Sequence, residues 1–113
     1  MIEPKDSSLV RTALTGMIKV VATLQQSGQT EIAHALKDLT TRVAACDGPR
    51  LSRQEIIENL VFVGQQAALR PEQRNRGLLK AALTYAKSAV EGLGALPRAW
   101  NINGRVIEDF FKF

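Results

Sequence analysis

The chain has one cysteine, one histidine, one tryptophan and one tyrosine in 113 residues, and aromatic side chains make up only 5% of it. The lone cysteine, Cys46, excludes an internal disulfide and suits a reducing compartment. With His34 as the only histidine, a zinc site built from Cys and His ligands cannot close in a monomer. No uncharged apolar run reaches the roughly 18 residues that a bilayer crossing requires. The start, Met1 to Asp6, has neither the basic region nor the apolar run of a secretory leader. A cytoplasmic protein, or a soluble module of a larger cytoplasmic chain, is the expectation. No stretch alternates apolar and polar residues as a half-buried strand does. Without a strand there is also no glycine-rich strand-to-helix loop to cradle a phosphate.

What is present fits one globular domain over residues 1–113. The chain is 45% hydrophobic and 23% charged, enough to bury a core without metal or disulfide staples. Its net charge of +4 is unevenly spread: residues 1–47 carry five basic and five acidic side chains, residues 48–113 ten and six. The basic second part points to an acidic partner, whether protein, nucleic acid or membrane surface.

Apolar residues recur at alternating spacings of four and three, which places them on one helical stripe. The first seam is Val10, Leu14, Met17, Val21 and Leu24, in a helix capped at Asp6 or Ser7 and running to about Ser27. Gly28 suits the left-handed position past its end, and Thr30 opens a second helix with Ile32, Leu36, Leu39, Val43 and Cys46 as its seam. So short a break makes residues 7–46 an antiparallel hairpin. After a connector over 47–51, Ser52 and Glu55 form a capping box, and Leu51 with Ile56 a hydrophobic staple, for a helix over about 52–69. Its inner face is expected to be Ile57, Leu60, Val61, Gly64 and Ala67. Pro71 begins a turn that either runs into the next helix or is followed by a new cap at Asn75. The fourth helix lies within 71–93 and carries Leu79, Leu83, Ala86, Val90 and Leu93. Leu78, Ala82, Tyr85 and Ala89 widen its apolar arc to nearly half the helix, so it is expected at the centre of the bundle. A fifth spans about 96–112, with a break or bend expected at Asn101, Asn103 and Gly104. The fold class is therefore all-α, a compact antiparallel bundle of about five helices.

Catalysis has no visible constellation. His34 lies roughly opposite its helix seam and faces solvent beside Lys37, Asp38 and Thr41. Cys46 lies on a seam, where thiols are structural. Glu108 and Asp109 are neighbours and point about 100° apart, so they cannot share a proton or metal. We expect no enzyme activity and no cofactor.

Two candidate binding features remain. Arg70, Arg74, Arg76 and Lys80 crowd the start of the fourth helix, and Lys87 continues the stripe; Arg53, Arg98 and Arg105 are expected to add to it. Cations at a helix start oppose the dipole unless something acidic answers them. The tail is the second: Trp100 precedes Phe110, Phe111 and Phe113, and Phe110 and Phe111 cannot both face inward. Trp100, Phe110 and Phe111 are thus candidate interface anchors, unless the tail folds back to close the bundle.

Residues 70–113 resemble the helical C-terminal association segments that follow effector or signalling domains in bacterial conflict and defence proteins. The resemblance rests on the turn Arg70-Pro71-Glu72-Gln73-Arg74, the small-residue helix from Gly77 to Leu83, the stretch from Leu96 to Trp100, and the ending Val106-Ile107 to Phe110-Phe111. Asn101, Asn103 and Gly104 depart from the charged helical run expected between the tryptophan and the phenylalanine pair. It implies a non-catalytic association module and carries over no catalytic residue. The expected function is a protein–protein interaction or self-association module, an adaptor in a bacterial defence or signalling system, binding a protein partner or itself away from membranes. The alternatives are a nucleic-acid-binding protein using the Arg70–Lys87 stripe, and a small subunit or inhibitor that occludes a partner.

Overall fold

The computed structural model describes residues 4–93 and 96–113, and all its regular elements are helical. They are α1 (Pro4–Gln26), α2 (Thr30–Ala45), α3 (Arg50–Ala68), a 3-10 turn (Pro71–Gln73), α4 (Arg76–Glu91) and α5 (Leu96–Phe111). The all-α bundle follows from the seams. Leu24, Leu36, Leu39, Ile57, Leu60, Leu79, Val90 and Ile107 are all fully buried in one continuous core. The molecule is elongated, 46 × 25 × 22 Å.

The α1–α2 hairpin closes through Gly28, whose φ of 81° only glycine adopts without strain. The Gly28 N–H donates to the Gln25 carbonyl at 3.1 Å and the Gln29 N–H to the Leu24 carbonyl at 2.9 Å. That pair of bonds is the Schellman closure of a helix end. Asn75 re-caps α4 after the 3-10 turn, its side chain accepting from the Leu78 N–H at 3.0 Å. The sequence left that choice open.

Five expectations are corrected. Helix α1 starts at Pro4, so Asp6 and Ser7 lie within it; proline at a helix start forfeits no hydrogen bond. The capping box does not form, because α3 already starts at Arg50 behind Pro49, which places Ser52 inside the first turn. Leu51 is 65% exposed and staples nothing. Helix α5 runs unbroken through Asn103 and Gly104. Asn103 Nδ2 donates to the Ala99 carbonyl at 3.2 Å within its own helix. The Trp100 indole fills the space beside Gly104, where an added Cβ would meet Nε1 at 2.6 Å, so packing offsets the poor propensity. Finally, α4 is not the centre. Helix α2 packs on α1, α3 and α5, and α3 packs on α1, α2 and α4, while α4 rests chiefly on α3 and α5. Its wide apolar arc is only partly covered, leaving Leu78 and Tyr85 exposed.

The inner face of α3 also shifts. Ile56 and Val63 join Ile57, Leu60, Gly64 and Ala67 in the interior, while Val61 is half-buried. Among the described residues no helix is long and apolar enough to cross a membrane.

Candidate interaction surfaces

The start of α4 gathers two of the sequence's candidate features into one cluster. Arg74 Nε donates to the Gln66 carbonyl at 2.9 Å and Nη2 to the Ala67 carbonyl at 3.1 Å, closing the C-terminus of α3. Its guanidinium also lies 5.1 Å from the centre of the Phe110 ring and 5.2 Å from that of Phe111. Arg76 Nη1 donates to the Phe111 carbonyl at 3.0 Å and stacks 4.6 Å over Phe113. Arg74 and Arg76 are thus answered chiefly by the negative carbonyl ends of α3 and α5 and by aromatic faces. Desolvation, with the charge of Arg76 as a second cause, pushes the Arg74 pKa down.

This arrangement divides the residues singled out in the sequence. Trp100 is 5% exposed and Phe111 2%, so both sit in the core and neither is available as a surface anchor. Phe110 is half-buried under Arg74, and the tail folds back onto the bundle end. Arg70, Arg76, Lys80 and Lys87 remain exposed, and Arg74 is half-buried. Arg70 approaches only Glu72, at 3.9 Å between two exposed side chains. Arg53 does not join the basic surface: it donates to the Ala44 and Gly48 carbonyls at 2.9 and 3.0 Å and closes the C-terminus of α2. Arg98 and Arg105 are exposed on α5.

A further concavity lies elsewhere, in an open groove of about 1100 Å³ between α2 and α5. Ala35, Leu96, Ala99 and Val106 supply apolar lining, and Ile102 stands on the lip, 67% exposed. Asp38 lies midway along. Its Oδ2 accepts from Asn103 Nδ2 at 2.7 Å and from Arg42 Nε at 3.0 Å. Those two hydrogen bonds, Arg42 first, hold the Asp38 carboxyl below its ordinary pKa. His34 is exposed, as its position on the helix requires, and borders the groove. No stretch of sequence marks this groove; the one local signal is Ile102, an aliphatic residue off the helix seam between two asparagines.

A shallower hollow of about 610 Å³ runs between α3 and α4, beside Phe62, Leu78 and Tyr85. There the Tyr85 hydroxyl donates to Glu55 Oε1 at 2.6 Å, and that hydrogen bond raises the tyrosine pKa. Glu55, expected as a cap, is this acceptor instead. No cluster of three His, Cys, Asp or Glu side chains suited to a metal occurs among the described residues.

No protein-family profile, curated protein or solved structure matches the chain.

Proposed function

We propose that the chain is a non-catalytic protein–protein interaction or self-association module that docks a helical partner along the α2–α5 groove. The observation that carries this reading is the exposed Ile102 on the lip of an apolar groove with charged side chains on both flanks. An apolar centre with a polar rim is the composition of protein interfaces, and a groove between helices suits a further helix. The resemblance of residues 70–113 to association segments favours the same function, in a bacterial defence or signalling system. The single thiol fits work in the cytoplasm. The nucleic-acid alternative is weakened because Arg74 and Arg76 are already hydrogen-bonded to helix-end carbonyls, leaving Arg70, Lys80 and Lys87 as the exposed cations of that stripe with no such bond.

A photo-crosslinking residue in place of Ala45, on the groove wall, tests this in the native host. Discrete protein adducts that disappear when Ile102→Glu is added are the expected result. Absence of adducts, or adducts indifferent to Ile102→Glu, would overturn it.

A further inference from the structure

We infer that the partner of the α2–α5 groove is a second copy of this chain, packed antiparallel about a two-fold axis. The inference rests on the groove being a docking surface and adds the identity of what docks.

Asp38 meets Asn103, while Leu93, just before α5, lies with Cys46 beside Gly48, just past the end of α2, so α2 and α5 run antiparallel along the groove. On α2, Glu31, Asp38 and Arg42 are spaced seven and four, which keeps them within about 40° of one another. On α5, Arg98, Ile102, Arg105 and Asp109 are spaced four, three and four, within about 60°. All are exposed except Asp38, which is partly so.

Because the helices oppose each other, charge separates along the face. Arg42 and Arg98 stand at one end and Glu31 and Asp109 at the other. A two-fold axis perpendicular to the helices reverses their direction, so each basic end meets the acidic end of the second copy. One axis serves both helices. The midpoint between Glu31 and Arg42 falls beside Lys37, and that between Arg98 and Asp109 beside Asn103. Since Asp38 lies opposite Asn103, the two midpoints agree to within about one residue, or about 1.5 Å along a helix.

Two further facts favour a copy over an unrelated chain. The face carries Glu31, Asp38 and Asp109 against Arg42, Arg98 and Arg105, so it is neutral although the chain is +4. Like copies therefore do not repel through it. Ile102 lies near the axis, so its side chain is buried twice, once from each copy, at the centre where interface energy concentrates. Arg105 falls across from Ile102 of the second copy and can lay its methylene stem over it.

Sedimentation velocity of the whole chain, from about 5 to about 500 µM, reads the outcome. The wild type should pass from monomer to dimer across that range. Arg98→Glu sets like charges together at two symmetric places and should weaken dimerisation by about tenfold or more. Adding Asp109→Arg to it should restore the wild-type constant to within about threefold, which a merely misfolded variant could not do. Ile102→Glu should leave a monomer with an unchanged helical circular dichroism spectrum. A wild type monomeric throughout, or a dimer indifferent to Arg98→Glu and Ile102→Glu, overturns the inference. If the wild type is monomeric while the groove crosslinks to a protein of another mass, the second copy is excluded and the docking surface stands. A monomer without adducts removes both.

Discussion

Arg74 and Phe110, thirty-six positions apart, meet with the guanidinium 5.1 Å from the ring centre, and the same side chain closes the end of α3. The contact ties α3, α4 and α5 together at one end of the bundle. Charge-assisted hydrogen bonds contribute about 1.5–3 kcal/mol, and a stacked cation about 0.5–1 more. Arg74→Ala should therefore cost about 2–4 kcal/mol in chemical denaturation. Arg74→Lys should recover only part of that, since an ammonium lacks the planar fork. Arg70→Ala, which touches only the loose and exposed Glu72, should change stability by less than about 0.5 kcal/mol. Equal effects at the two positions would show that the stack and the carbonyl bonds add nothing.

The same residues mark where sequence reasoning stops. Arg74 and Arg76 read as a repelling basic cluster because the side chains that answer charge are visible in a sequence and helix carbonyl ends are not. The hairpin at Gly28, the end of α3 before Pro71 and the four-three seams are local, and the structure keeps them. The Ser52–Glu55 pattern is local too, but Pro49 starts the helix earlier and Tyr85, thirty positions away, claims the Glu55 carboxylate. Gly104 lowers helix propensity in sequence, yet its missing side chain is what admits the Trp100 ring. The α2–α5 groove is a relation between helices joined by Asp38 and Asn103, sixty-five positions apart, so no window of sequence contains it.

Two glycines should respond oppositely to the same change. Gly64 is buried on α3 where α1 crosses, and an added Cβ would collide with Val20 Cγ1 and stand 3.2 Å from Leu36 Cδ1. Val20 is β-branched and has little freedom to move aside. Gly64→Ala should destabilise by about 1–3 kcal/mol through overpacking, despite alanine's better helix propensity. Gly77 lies exposed in the first turn of α4, with Asn75 Oδ1 at 3.6 Å as the nearest atom to an added Cβ. Gly77→Ala should stabilise by about 0.4–1 kcal/mol, mainly by restricting the unfolded chain. Thermal melts of both variants check the signs, and a stabilising Gly64→Ala would contradict the close α1–α3 crossing.

Asp38 gives the molecule an acid-sensitive contact. Its carboxylate accepts from Arg42 and from the buried Asn103, and both bonds favour the charged form. The folded pKa therefore lies below the ordinary value of 3.8. A group depressed on folding contributes stability that is fully present above its unfolded pKa and is lost as pH falls through the folded one. Arg42 is exposed and the ion pair is screened, so its leading effect on the pKa is discounted as stability and the Asn103 bond contributes beside it. Asp38→Asn should lower stability by about 1 kcal/mol at neutral pH. The gap between variant and wild type should narrow as pH drops below 3.8, because the wild-type side chain then takes up a proton and loses its charge. Urea titrations at low protein concentration, where association cannot contribute, measure this gap at each pH. A gap of constant size from neutral pH down to strong acid would mean that the charge on Asp38 is irrelevant and only its shape matters.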